Sequence, residues 1–213
     1  MAFRRLPTAS CILEVERKFR TLNVRELTQH GGIPYFRSLQ KLPVETIRDS
    51  YYDKSNMLSS AGVWVRKRNG EWQAKIKKGG NFTNSKFQEL SHVDEIEALV
   101  KRVIGIGGAT CSFGLQPVAT FCTTRESWIA DGEFRIVLDT MDFHHQVGEV
   151  ELQKVLVSNN GDDTPNELQK QREMQLMDEK LVTFMQTYAW AFSVGEPKGK
   201  LTAYFELLRS QDD

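Results

Sequence analysis

The side chains best able to do chemistry in this sequence stand in short alternating runs. In Leu13-Glu14-Val15-Glu16-Arg17-Lys18-Phe19, Glu14, Glu16 and Lys18 share one face at a spacing of two, and Leu13, Val15 and Phe19 share the other. The run Val63 to Arg68 sets Trp64, Arg66 and Arg68 together, and Trp72 to Lys77 aligns Gln73, Lys75 and Lys77. Alternation returns from Arg135 to Asp139 and from Val147 to Leu152, where Glu149 and Glu151 share a face. Taken singly, each run reads as an antiparallel strand with its polar face in water. Taken together, their polar faces carry almost only Glu, Asp, Lys and Arg. A sheet curled into a barrel turns that charged face into a lumen and its apolar face toward covering helices. Acidic pairs beside basic pairs suit one guest, a multiply charged anion accompanied by a divalent cation.

The segments that must position these residues are legible from turns and periodicity. Asn69-Gly70 predicts a hairpin joining 62–68 to 71–78, and Asp131-Gly132 one joining 117–130 to 133–141. Further strands are expected at 33–41, 45–53 and 83–90. Helices are expected at 23–30, closed by Gly31-Gly32, and at 92–104, 165–190 and 201–209. The third carries an apolar stripe of Leu168, Met174, Met177, Leu181, Phe184, Met185 and Tyr188, suited to covering a barrel, and Asn159 to Asp163 reads as a loop before it. The expected fold is α+β: an antiparallel eight-stranded β-barrel with helices packed outside, formed by a single domain over 11–213 after a flexible 1–10.

With 213 residues, 40% of them hydrophobic, the chain can bury a sizeable core. Lys plus Arg and Asp plus Glu balance at 28 each, which argues against nucleic acid as a partner. No apolar run approaches the roughly 18 residues of a membrane span. Cys11, Cys111 and Cys122 are odd in number and too far apart for a CxxC motif, which suits a reducing, cytoplasmic setting. Cys111 and Cys122 read as small core residues, and His144-His145 as loop surface rather than a metal site.

Glu-Val-Glu-Arg-Lys-Phe at 14–19 is an ExExK signature, and the chain resembles the CYTH superfamily of triphosphate tunnel metalloenzymes. Its companions follow in that family's order: DSYYD at 49–53, WVRKR at 64–68, WQAK at 72–75, FQEL at 87–90, TTRESW at 123–128, FRIVLDTMDF at 134–143, VGEVE at 147–151 and KGKL at 198–201. Within the superfamily the WVRKR, VLDTMDF-to-VGEVE and C-terminal lysine segments look most like its animal thiamine-triphosphatase branch. The resemblance implies that Glu14, Glu16, Asp139, Glu149 and Glu151 bind metal, with Mg²⁺ as the expected cofactor. It implies that Lys18, Arg66, Arg68, Arg125, Arg135 and Lys200 hold the substrate's phosphates, together with Lys75, and that Glu89 is a further tunnel glutamate, placed here with the catalytic residues. One position departs from the pattern: Val137-Leu138-Asp139 stands where the thiamine enzymes usually carry Asp-Leu-Asp.

The chemistry of such a site explains the residue types. A triphosphate ester carries about four negative charges, and cleaving it needs positioning and charge stabilisation more than covalent help. Trp64 lies on the Arg66/Arg68 face, where it can stack on an aromatic, cationic thiamine. Tyr51 is expected to point inward toward Lys75, whose pKa burial and cationic neighbours should lower, so that the two assist proton transfer. Lys200, after the flexible Gly195–Gly199, is expected to close as a lid. The expected activity is Mg²⁺-dependent hydrolysis of thiamine triphosphate by a monomer. An inorganic tripolyphosphatase or nucleoside triphosphatase of the same fold is the nearest alternative, and a non-catalytic organophosphate-binding module is a rival of a different class. An adenylate cyclase would use the same phosphate residues, but no adenine pocket is specified.

Overall fold

The computed structural model describes residues 10–105, 112–157, 165–193 and 195–212. Nearly all of the stretch expected to be flexible, the 159–163 loop and Cys111 lie outside them. Nine strands are present among the described residues: β1 (Ser10–Phe19), β2 (Leu39–Lys41), β3 (Glu45–Asp53), β4 (Val63–Arg68), β5 (Glu71–Gly80), β6 (Asn84–Leu90), β7 (Gln116–Ala130), β8 (Phe134–Met141) and β9 (Gln146–Val157). Four helices accompany them: α1 (Met57–Ser60), α2 (Val93–Ile104), α3 (Glu167–Thr187) and α4 (Lys200–Asp212).

The strands run antiparallel in the order β7-β3-β4-β5-β6-β1-β9-β8, and β8 pairs again with β7, so the eight close into a barrel. The short β2 is extra, pairing with β7 at Leu39↔Ala130 beyond the part of β7 that β3 uses. Both expected hairpins form. Asn69 and Gly70 adopt φ of 49° and 94°, as a two-residue turn matched to strand twist requires. Asp131 and Gly132 do the same at 53° and 79°. The β5–β6 turn depends on Gly80, where a Cβ would stand 2.0 Å from the Asn84 carbonyl oxygen, and on Asn81, whose side-chain oxygen accepts from the Thr83 and Asn84 amides at 2.9 and 2.8 Å.

Alternation puts the apolar face outside. Leu13, Val15, Ile136 and Val150 pack against Met174, Met177, Leu181 and Phe184 of α3, and the Phe134 and Phe184 rings stack at 4.0 Å. Asp178 pins α3 to the wall by accepting from Arg17 at 3.1 Å and pairing with Lys86 at 3.0 Å. Of the expected stripe, Leu168 instead faces out and is exposed. Ile96, Leu99 and Val100 of α2 cover Val63, Val65 and Ala74 of β4 and β5. Helix α4 behaves differently. Its Leu201, Tyr204 and Phe205 pack on Tyr51, Phe121, Met141 and Val147, which alternation assigns to the inner face, so α4 seats on one end of the barrel.

Two expected elements are corrected. The 23–30 helix does not form; this stretch is an irregular connection that buries Leu27. The Gly31-Gly32 pair taken as a helix stop serves close approach, since a Cβ on Gly32 would fall 2.1 Å from the Trp190 ring. The 33–41 strand shrinks to β2, because Phe36 turns into the core between Phe184, Tyr188 and Trp190. The single-turn α1, tied by amides of Leu58 and Ser59 to Asp53 at 2.9 and 3.1 Å, had no periodic signal to announce it.

Candidate active site

The barrel's inner face encloses a cavity of about 400 Å³. Glu14, Glu16 and Lys18 reach it from β1, Tyr51 from β3, Trp64, Arg66 and Arg68 from β4, and Lys75 from β5. Glu89, Arg125, Arg135, Glu149, Glu151 and, at the start of α4, Lys200 complete the expected set. Asp139 alone does not line the cavity; it is fully buried behind it. There it accepts a bidentate pair of bonds from Arg125, both at 2.7 Å, and an ion pair from Lys200. Its geometry is that of a carboxylate that aims cations.

Burying so many charges is tolerable only if they are paired, because an isolated buried ion costs many kcal/mol. The pairing is dense. Lys18 meets Glu16 and, at 3.4 Å, Glu149. Lys75 meets Glu14, Glu16 at 3.5 Å and Glu89 at 3.4 Å. Arg68 takes Asp49 bidentately at 2.8 and 2.7 Å. Arg66 donates to Gln73 at 3.0 and 2.9 Å and to the Tyr51 hydroxyl at 3.3 Å. Arg135 has a looser partner in Glu45, at 3.6 Å. Gln73 is the residue that spacing aligned with Lys75, whereas Asp49 and Gln153 carry no expectation as site residues from the sequence. Yet Asp49 shares the Tyr51 face of β3, and Gln153, which donates to Glu14 at 2.9 Å, continues the Glu149/Glu151 face of β9. Spacing of two was the signal that could have found them.

The Tyr51–Lys75 pair is replaced by Tyr51–Arg66 and Lys75–carboxylate contacts. The direction of the Lys75 shift is also corrected. Burial pulls its pKa down, but Glu14, Glu16 and Glu89 outweigh burial and hold it well above the ordinary lysine value. The acidic side is split. Burial, reinforced by Glu149, raises Glu16 to about 7. Burial likewise raises Glu151 to about 7 against the pull of Arg125. Glu149 goes the other way: burial is overcome by Lys18, Lys200 and Arg125, and its pKa falls.

Glu16 and Glu151 stand directly opposite each other on β1 and β9. Like charges in that register repel, and a divalent cation held between them would relieve the repulsion. The donors are carboxylate oxygens throughout, which suits a hard cation such as Mg²⁺. Among the described residues no three such groups converge as a ready-made cage. Near this set, Val137 is fully buried opposite Ser127 and Glu149, and Ser127 Oγ and Arg135 Nε are buried without hydrogen-bond partners among the described residues.

Residues 13–184, most of the barrel and α3, match the CYTH domain family. The chain belongs to the CYTH family. Among CYTH relatives, the thiamine-triphosphatase of Homo sapiens is 33% identical over 165 residues, which cover 67% of this chain and 69% of that protein. The thiamine-triphosphatase of Macaca fascicularis is 30% identical over the same coverage. Among solved structures, the PH1819 protein from Pyrococcus horikoshii OT3 superposes with a TM-score of 0.53 at 20% identity, covering 91% of this chain and 99% of its own, a likeness of fold. No helix among the described residues of this CYTH chain is long and apolar enough to cross a membrane. Cys11 is buried and Cys122 half-buried, both as free thiols. His145 is tied to the Lys198 carbonyl at 2.8 Å.

Proposed function

We propose that this protein hydrolyses thiamine triphosphate to thiamine diphosphate and phosphate, with Mg²⁺, as a monomer of the cytosol. The observation that carries the proposal is the cavity lining, where Lys18, Arg66, Arg68, Arg125, Arg135 and Lys200 surround buried carboxylates with Trp64 in the same wall. The names of the human and macaque relatives support the choice of substrate.

In this proposal, arginines aimed in advance take the phosphate oxygens: Arg125 is held by Asp139 and Arg68 by Asp49, so little reorganisation is needed on binding. Glu14, Glu16, Glu149 and Glu151 are the residues that would hold Mg²⁺. When bound, the ion neutralises phosphate charge and makes water a better nucleophile. Water attacks the terminal phosphorus, the bond to the bridging oxygen breaks, and the diphosphate departs with the electron pair. Lys75, an ammonium ion at neutral pH, meets charge developing on the phosphates and is no base. Glu89 orients Lys75, and Tyr51 orients Arg66, both from within the cavity. Lys200, held by Asp139 at the first turn of α4, brings a further cation as α4 seats. Trp64 stacks on the thiamine rings.

The test is phosphate release from thiamine triphosphate, tripolyphosphate and ATP in parallel, with Mg²⁺ and with chelator. Mg²⁺-dependent preference for thiamine triphosphate is expected. Preference for tripolyphosphate keeps the tunnel chemistry and retires the thiamine assignment. Turnover of none of them favours a binding module.

A further inference from the structure

Seven of the eight cationic side chains associated with the cavity are held by a carboxylate within 4 Å: Lys18, Arg66, Arg68, Lys75, Arg125, Arg135 and Lys200. Lys77 is the exception among the described residues. It lines the same cavity, is exposed, and takes part in no salt bridge or side-chain hydrogen bond. This difference has an energetic meaning. A paired cation must exchange a carboxylate for the ligand, and part of the gain is lost in the exchange. An unpaired ammonium loses only water.

Its place in the sheet says what it meets. Lys77 stands two residues beyond Lys75 on β5, and Lys75 faces Trp64 on β4. Directly opposite Lys77 on β6 is Phe87, whose ring meets Trp64 edge-on at 5.7 Å. Lys77 therefore lies past Trp64 along the strands, on the side away from Arg66 and Arg68, which are two and four residues further along β4. The half-exposed ring of Phe82, on the turn that follows β5, also lines the cavity. An aromatic wall beside a free ammonium can seat a heteroaromatic ring and donate to one of its lone pairs.

We propose that Lys77 is a specificity residue: its ammonium donates to an acceptor atom of the heteroaromatic group esterified to the triphosphate, while that group rests on Trp64. The inference rests on the triphosphatase function proposed above and adds to it the atom that reads the organic end of the substrate. Thiamine's pyrimidine nitrogens and the adenine nitrogens of ATP both qualify as acceptors; tripolyphosphate has no such group.

The experiment compares wild type, Lys77→Met and Lys77→Arg on thiamine triphosphate, ATP and tripolyphosphate with saturating Mg²⁺. Methionine keeps the apolar stem and removes the donor. The ratio of kcat/KM for the organic substrate to that for tripolyphosphate should fall roughly tenfold in Lys77→Met, the worth of a hydrogen bond to a charged group. The loss should appear in KM, and Lys77→Arg should restore most of it. An unchanged ratio overturns the proposal, whether because all rates stay equal, as for a solvated lysine, or fall together, as for a phosphate contact. If wild type takes ATP and not thiamine triphosphate, the thiamine assignment alone fails, and the ratio is read on ATP. Wild type that turns over tripolyphosphate only, or nothing, overturns both.

Discussion

Single side chains in this barrel divide into those that face the cavity and those that aim them. Asp139 belongs to the second kind. It is fully buried, and its pKa is lowered because Lys200 and Arg125 overcome the effect of burial. Replacing it by asparagine leaves two buried cations short of their counter-charge. We expect Asp139→Asn to cost about 3 kcal/mol and to lower Tm by roughly 10 °C, measured by thermal unfolding alongside turnover. Lost turnover with an unchanged Tm would instead assign Asp139 to the substrate. Lys75 shows why residue type alone misleads: from composition a buried lysine among cations should lose its proton readily, yet three carboxylates delivered by β1 and β6 reverse the sign. Inward pointing at a spacing of two was readable for Glu14, Glu16, Arg66, Lys75 and Glu149. Which inward neighbour each would touch was not, because contacts across a closed barrel depend on tilt and stagger.

Among the elements, the strands other than β2 were the most legible, since their sequences largely alternate and most are bounded by turn residues with positive φ. Helix α3 shows how an element is fastened. Its apolar stripe supplies the area, and Asp178 supplies position through Arg17 and Lys86. Burial alone would raise the Asp178 pKa, but those two partners lower it below the ordinary aspartate value. A carboxylate with a depressed folded-state pKa adds stability above its unfolded pKa and loses it as pH falls through the folded value. Asp178→Asn should therefore destabilise by about 1 kcal/mol at neutral pH. In denaturant unfolding followed against pH, the gap to wild type should close as the solution is acidified below the usual aspartate range. A gap that persists in acid would mean a packing defect. The 23–30 segment was misread because a Gly pair signals both a helix stop and a close approach, and the Trp190 ring that distinguishes them is far away in sequence.

For the molecule as a whole, the barrel gathers like charges that the chain would otherwise keep apart. Glu16 and Glu151 are opposed across β1 and β9, so a divalent cation should stabilise the folded state by mass action. At about a hundred times Kd the gain is roughly 2.7 kcal/mol, and Tm should rise with Mg²⁺ and fall back with chelator. Glu16→Gln with Glu151→Gln should abolish the shift; an equal shift in that double variant would place the ion elsewhere. Periodicity and turn chemistry in the chain were enough to specify a charged, strand-built cavity and the charged residues that β1, β4, β5, β8 and β9 present to it, because side-chain direction along a strand is a local property, whereas Glu89, Arg125 and Lys200 came from the family resemblance. Closure of β8 on β7, the seating of α4 on the barrel end, the retreat of Asp139 behind the wall and the pairing of every cavity cation but Lys77 came from packing between distant segments. Those outcomes follow from how strands stagger and which buried charges must be neutralised, and neither condition is written in any one stretch of sequence.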